Sequence, residues 1–94
     1  MLKLPQLSDF TPLLGESFSI VLGDSNVITT LAEAKPLGPA SQSRGFELVF
    51  RSASQIVLPA RTYTFRNPNL GEMGIFISPF ARDSAGIVYQ AVFN

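Results

Sequence analysis

The chain has 94 residues, enough for one domain and too few for two compact ones. Its seven basic and seven acidic residues cancel, which argues against binding to nucleic acid or to an anionic membrane, because both need a basic surface. Apolar residues make up 46% of the chain and charged residues 15%, the reverse of the balance in disordered segments. We therefore expect one folded domain over residues 1–94.

The residue types that the sequence lacks limit the kinds of catalytic and metal site that it can form. The sequence contains no cysteine and no histidine, so disulfides, thiolate or imidazole metal sites and the commonest nucleophile–base pairs are excluded. The first ten residues lack the apolar region of a secretion signal, and no apolar run approaches the ~20 residues of a membrane span. We predict a cytoplasmic protein without metal or cofactor; export within an assembly, without a signal, is also compatible with the sequence.

The first predicted element is a single helical turn. Thr11-Pro12-Leu13-Leu14-Gly15 places an N-cap residue before a proline, and a glycine where a left-handed C-cap would lie. Three apolar side chains on or beside this turn, those of Phe10, Leu13 and Leu14, are expected to close one end of the core.

Two strands joined by a short turn follow. Apolar and polar residues alternate over residues 17–22, with Phe18 and Ile20 on the buried face, which predicts a half-buried strand. Residues 23–26 have the composition of a hairpin connection, and the second strand is predicted over residues 26–34.

The rest of the chain predicts further strands separated by loops. Residues 35–44 contain two prolines and a glycine, which excludes a regular element there. Pro79 is expected to end one strand, because proline cannot donate to a ladder, and residues 81–86 to form a polar connection. The remaining strands are predicted at residues 46–51, 56–58, 62–66, 73–78 and 87–93. The sequence thus predicts an all-β domain, a small antiparallel sandwich or barrel of six to seven strands.

The last predicted strand is apolar on both faces. Val88 and Val92 alternate with inward residues, and Gln90 is the one polar position of that strand. Either the strand closes a barrel or lies under the helical turn, or a partner chain covers its second face. Phe76 and Phe80 also lie outside the pattern of inward-facing residues. Each of them either covers the core or is exposed as an anchor for a partner. These five residues form the predicted interface.

The charged residues provide few candidates for a site. The seven acidic residues fall mostly at turns or on outward strand positions, so we predict no catalytic residues and no enzyme. A ligand site would use Arg44, Arg51 and Arg66 beside the 35–44 loop. Cross-strand pairing of Arg51 and Arg66 with acids such as Glu47 is the preferred interpretation.

Several segments resemble a known family. The runs Phe46-Glu47-Leu48-Val49-Phe50, Gly74-Ile75-Phe76-Ile77-Ser78-Pro79 and Tyr89-Gln90-Ala91-Val92-Phe93-Asn94 are similar to a family of small uncharacterised bacterial proteins, a domain of unknown function. Core and turn residues carry the resemblance over nearly the whole chain, so it implies a fold and transfers no catalytic residue. It also implies an association with tail-collar or tail-fibre-like genes, and hence a part in a fibre or its assembly.

Two functions therefore stand as hypotheses. The first is a structural or interaction module that self-associates as a homo-oligomer or docks on a larger, fibre-like or tail-like assembly of proteins. The second is a module that binds a small ligand or glycan through the 35–44 loop. An exposed apolar strand face favours the first hypothesis, and a cleft with convergent polar groups favours the second.

Truncating an inward phenylalanine tests the strand pattern. Phe50→Ala is expected to lower the free energy of unfolding by ~3–5 kcal/mol, because it opens a cavity in the core. Since total stability is typically ~5–15 kcal/mol, thermal unfolding should show a large fall in Tm. An unchanged Tm would place Phe50 on the outer face instead.

Overall fold

The computed structural model describes residues 5–38 and 45–94. Within these residues, six strands form a closed antiparallel barrel, which confirms the predicted all-β class. No helix in the described part of the chain is both long and apolar enough to cross a membrane. The elements, in chain order, are α1 (Leu7–Phe10), a 3₁₀ turn (Thr11–Leu13), β1 (Ser17–Leu22), β2 (Ser25–Pro36), β3 (Phe46–Ser52), β4 (Arg61–Asn67), β5 (Gly71–Asp83) and β6 (Gly86–Phe93).

The barrel consists of two three-stranded meanders joined edge to edge. The order around the wall is β1-β2-β3-β6-β5-β4, and β4 pairs with β1 to close it. Every neighbouring pair is antiparallel. The chain passes from the first meander to the second through residues 53–60, which we call the crossover segment. This segment connects β3 to β4, which lie on opposite sides of the barrel.

Aromatic rings fill the middle of the barrel. The ring centroids of Phe18 and Phe50 lie 5.4 Å apart, and those of Phe50 and Phe65 lie 4.8 Å apart. All three side chains are fully buried, as their alternation with polar residues predicts. Aromatic pairs at these separations add about 0.5–1.5 kcal/mol to the free energy gained by burying the rings.

The N-terminal helix closes one end of the barrel. Phe10 is fully buried, with its ring centroid 5.8 Å from that of Phe46 and 5.9 Å from that of Phe93. Leu13 is buried beside it, as predicted. Leu14 is 46% exposed, so its predicted place in the core was wrong. It follows the 3₁₀ turn in a β-like conformation (φ −57°, ψ 132°) outside the helical pattern.

β5 does not end at Pro79, contrary to the sequence prediction. The strand continues to Asp83, so residues 81–83 belong to it and not to a connection. Pro79 lies opposite Tyr89 on β6, and the register shifts between Pro79 and Ala81, which leaves Phe80 as the extra residue of a bulge. A missing N–H is tolerated at such an irregularity, where the ladder is already interrupted.

The predicted strand at residues 56–58 is not a strand in the structure but part of the crossover segment. Tyrosine hydroxyls attach this segment to the barrel. The hydroxyl of Tyr89 accepts from the backbone N–H of Leu58 at 3.0 Å, and the hydroxyl of Tyr63 donates to the carbonyl of Pro59 at 2.7 Å. Both tyrosine rings are buried in the barrel, so the core itself fixes the crossover across its end.

Asn67 supports the barrel where β1 meets β4. In the described chain these two strands pair over only three residues each. Its side chain is 1% exposed, and its Nδ2 donates to the carbonyl of Ser17 at 3.0 Å and to Oε1 of Glu16 at 3.2 Å. Its Oδ1 accepts from the backbone N–H groups of Asn69 at 2.8 Å and Leu70 at 3.0 Å. One side chain therefore holds both the β4–β5 turn and the start of β1.

Removing this side chain should weaken the barrel. We expect Asn67→Ala to lower the free energy of unfolding by about 1–3 kcal/mol, because it removes four hydrogen bonds of a buried side chain, three of them to backbone groups. Asn69→Ala is the matched control, since it removes one exposed hydrogen bond to Glu16 and should change stability by less than about 0.5 kcal/mol. Urea unfolding of both variants measures the difference; equal losses would contradict the role given to Asn67.

Candidate interaction surfaces

Two outward positions on the β3–β6 part of the wall are buried. Val49 and Val88 are 7% and 5% exposed and lie outside the main core cluster. Val49 is opposite Gln90, and Val88 is opposite Arg51; long side chains of this kind commonly lay their stems over apolar neighbours. Val88, a predicted interface residue, is therefore already covered within its own chain. β6 lies between β3 and β5, and the Arg51–Asp83 ion pair joins these two strands across it.

Gln90, also predicted at the interface, belongs to a polar network on the outside of the barrel. Its Nε2 donates to Oε2 of Glu47 at 2.7 Å, and Oε1 of Glu47 lies 3.1 Å from Nζ of Lys35. Lys35 in turn lies 3.3 Å from the carboxylate of Glu33. Glu47 thus pairs with Lys35 and Gln90, not with an arginine as the sequence suggested.

The other three predicted interface residues are exposed. Phe76, Phe80 and Val92 are 55%, 56% and 48% exposed, and we call them the β5–β6 patch. The ladder between β5 and β6 begins at the pair of Ser78 and Gln90. Phe76 and Val92 lie two residues beyond that pair on their strands, and both are on the outer face. Phe80 follows at the bulge. The structure thus shows that Phe76 and Phe80 do not cover the core.

The arginines predicted for a ligand site are paired or lie outside the described residues. Arg51 is 2.9 Å from the carboxylate of Asp83, and Arg66 is 2.6 Å from that of Glu72, its direct cross-strand neighbour. Both guanidinium groups are therefore engaged in ion pairs: that of Arg66 joins neighbouring strands, and that of Arg51 joins β3 to β5 across β6. Arg44, with most of the predicted 35–44 loop, lies outside the described residues.

The structure contains a cleft that the sequence analysis did not anticipate. It lies between the β1–β2 hairpin and the crossover segment and encloses about 430 Å³. The sequence feature that corresponds to the cleft is the apolar run at residues 56–58, which the sequence analysis interpreted as an ordinary strand. The lining side chains are uncharged: Leu22, Ser25, Asn26, Val27, Ile28, Ser52, Ala53, Ser54, Ile56 and Leu58.

A smaller hollow adjoins the exposed ring of Phe80. It encloses about 270 Å³, and its lining residues come from the crossover segment, the β5 bulge and the start of β6. Arg82 lines it, and its Nε donates to Oε1 of Gln55 at 3.4 Å. The β5–β6 patch therefore ends beside a concave surface.

Two carboxyl groups with lowered pKa values, those of Glu47 and Asp83, predict that the fold loses stability in acid. The hydrogen bond from Gln90, and then that from Lys35, lowers the pKa of Glu47; the hydrogen bond from Arg51, and then the backbone N–H of Ala85, lowers the pKa of Asp83. A carboxyl whose pKa is lower in the folded state stabilises the fold above its unfolded pKa. That stability is lost as the pH falls through the folded pKa.

We therefore expect the free energy of unfolding to fall between about pH 5 and pH 3. Glu47→Gln should make this fall shallower, and Gln90→Ala should do the same because it removes the main cause of the lowered pKa. Thermal unfolding across this pH range measures the slopes, with Thr64→Ala as a control that changes no charged group. Identical slopes for wild type and Glu47→Gln would contradict the prediction.

Comparison with known proteins identifies the family to which the barrel belongs. No curated protein and no solved structure matches the chain. One family, described as "Domain of unknown function (DUF6916)", matches residues 5–93, which include all six strands of the barrel. The resemblance to a small uncharacterised family is thereby confirmed. This chain belongs to the DUF6916 family of domains of unknown function.

Proposed function

We propose that this protein is a non-enzymatic interaction module that self-associates through the β5–β6 patch, or docks on a larger assembly through the same surface. The observation that carries the proposal is the exposure of two phenylalanines, Phe76 and Phe80, at 55% and 56% on one strand. Single exposed apolar residues are normal on a protein surface, but here a third, Val92, is exposed on β6, the strand next to β5 in the barrel.

The energetics favour association at this surface. Burying a large apolar side chain completely is worth roughly 1.5–3 kcal/mol, and aromatic residues dominate the binding free energy of many interfaces. The network of Lys35, Glu47 and Gln90 lies beside Val92, which supplies the polar rim usual around an apolar contact.

Self-association is the form we favour. The formal net charge is zero, so two copies repel each other little. In a two-fold dimer the same patch on each copy faces the other, so one apolar surface serves both sides. The salt bridges of Arg51 and Arg66 count against the alternative of a ligand site beside the 35–44 loop, because they occupy the guanidinium groups.

Lysine substitution in the patch tests this proposal. Phe76→Lys combined with Val92→Lys should prevent association, because taking two ammonium groups out of water into an apolar contact is costly. The barrel should stay folded, because both positions are about half exposed. Val88→Lys would be unsuitable, since Val88 is 5% exposed and its replacement would unfold the barrel. Size-exclusion chromatography with light scattering should show wild type above the monomer mass and the double variant at it.

The matched control is Ile28→Lys. Ile28 is 56% exposed on β2, a strand that neighbours neither β5 nor β6, so this variant should associate like wild type. Circular dichroism and Tm should be unchanged in both proteins. A wild type that stays monomeric up to about 1 mM would exclude self-association of useful affinity, as would a double variant that keeps the wild-type mass.

A further inference from the structure

β5 pairs with its two neighbours over different parts of its length. Residues 71–77 pair with β4, whereas the ladder with β6 begins only at the pair of Ser78 and Gln90. Beyond that pair, β6 continues along β3 as far as Phe93 and forms no further pair with β5. In the described part of the chain, no other strand pairs with the first half of β5 on that side. We call this side of residues 72–76 the open edge.

The direction of the backbone groups at the open edge follows from the position of a proline. Hydrogen-bonded and non-hydrogen-bonded pairs alternate along an antiparallel ladder. Because proline has no N–H, the pair of Pro79 and Tyr89 is of the second kind, and the preceding pair of Ser78 and Gln90 is of the first. The N–H and C=O groups of Ser78 therefore point to β6. Since this direction alternates along a strand, the open edge receives the backbone groups of Phe76, Gly74 and Glu72.

The open edge lacks the features by which proteins usually prevent strand pairing, such as lysine, proline or a bulge. Residues 71–76 contain no lysine and no proline, and the bulge of β5 lies beyond them, at Phe80. The one charged residue, Glu72, is neutralised by Arg66 at 2.6 Å. Gly74 and Phe76 are exposed on the same outer face as Glu72. The edge therefore offers backbone groups and one aromatic ring, without a net charge.

We propose that the open edge pairs antiparallel with the open edge of a second copy, about a two-fold axis at Gly74, so that the two barrels share a continuous sheet. A strand edge is completed by another strand edge, and the second copy carries one of matching length and composition. This pairing rests on the self-association proposed above and gives its geometry, because Phe76 of the β5–β6 patch belongs to the open edge. A formal net charge of zero leaves little repulsion between the copies.

The two-fold axis at Gly74 gives each backbone group of the open edge a partner. Gly74 then faces Gly74 of the second copy, and Glu72 faces the second copy's Phe76. Each of these pairs exchanges two hydrogen bonds. No two carboxylates face each other, and the ring of Phe76 lies diagonal to a glycine, over which an aromatic ring can pack. An axis at a neighbouring residue would pair fewer of the backbone groups.

A single introduced cysteine tests the pairing, because the chain has none of its own. Gly74→Cys places two thiols across the two-fold axis, where the Cα atoms of a hydrogen-bonded pair lie ~5.5 Å apart, within the ~4.4–6.8 Å of a disulfide. A Cβ at this position would lie 3.2 Å from Cγ2 of Thr62, an exposed side chain that can move, so the barrel should fold. We expect mild oxidation to yield a disulfide-linked dimer with the circular dichroism of wild type.

Two further cysteine variants are matched controls. In Glu72→Cys the two thiols are displaced by four residues, roughly 13 Å along the strands, and cannot bond. Ile28→Cys places the thiol on β2, at an exposed residue outside the pairing. Both should form at least about tenfold less linked dimer than Gly74→Cys. Gly74→Cys combined with Phe76→Lys and Val92→Lys should also stay unlinked, because the copies no longer associate.

Amide hydrogen exchange is a second measurement, and it needs no cysteine. In the wild-type dimer the N–H groups of Glu72 and Gly74 are hydrogen-bonded across the axis. Their exchange should be about tenfold or more slower than in the monomeric Phe76→Lys, Val92→Lys variant. The N–H of Ile75 points to β4 in both proteins and should exchange alike, which makes it the internal control.

The results separate this pairing from the proposed self-association. If wild type associates but Gly74→Cys stays unlinked and the Gly74 amide exchanges fast, the strand pairing is wrong and association through patch side chains alone stands. More linkage in Glu72→Cys than in Gly74→Cys would overturn the two-fold register. Slow exchange of the Gly74 amide in the monomeric variant would show that the edge is already bonded within its own chain. A monomeric wild type would overturn both proposals.

Discussion

Six strands can close into a barrel of this size when side chains fill the space that they enclose. The fully buried rings of Phe18, Phe50 and Phe65 do so here, each from a different strand and each at a centroid separation of 4.8 or 5.4 Å from a neighbour. The rest of the structure depends on this filling. Side chains at inward positions are buried in the core and cannot contact other molecules. Only outward side chains and the segments that cover the ends of the barrel can do so.

The two ends of the barrel are covered by different kinds of contact. At one end, Phe10 from α1 packs on Phe46 and Phe93, and the contact is apolar. At the other end, the crossover segment is held by the hydroxyls of Tyr63 and Tyr89, each of which bonds to backbone. Two tyrosine hydroxyls thus tether the backbone of that segment to the barrel.

Charges on the outer wall are largely neutralised by close neighbours, as in the pairs of Arg51 with Asp83 and Arg66 with Glu72. Exposed pairs of this kind contribute little to stability, roughly 0–1 kcal/mol each. Their effect on recognition is larger, because paired charges offer little to an incoming charged molecule. The features that distinguish the surface are then its exposed apolar side chains, at the β5–β6 patch and beside the cleft.

Local alternation of apolar and polar residues was sufficient to predict the all-β class and the inward side of the strands at residues 17–22, 46–51 and 62–66. Phe18, Phe50 and Phe65 were assigned correctly on that basis, because the face of a strand residue depends on its immediate neighbours. Five outward residues were selected from the sequence as an interface. Three of them, Phe76, Phe80 and Val92, are exposed.

The tertiary structure decided what alternation cannot reveal. Val88 is buried on an outward face, on a strand whose two neighbours are joined by the Arg51–Asp83 ion pair. Pro79 stays within β5 because a bulge interrupts the ladder there. Residues 56–58 read as a strand but have no strand beside them. Each outcome depends on which distant segments become neighbours when the barrel closes. Strand pairing of that kind is non-local, so a pattern read along the chain predicts a strand's faces but not its partners.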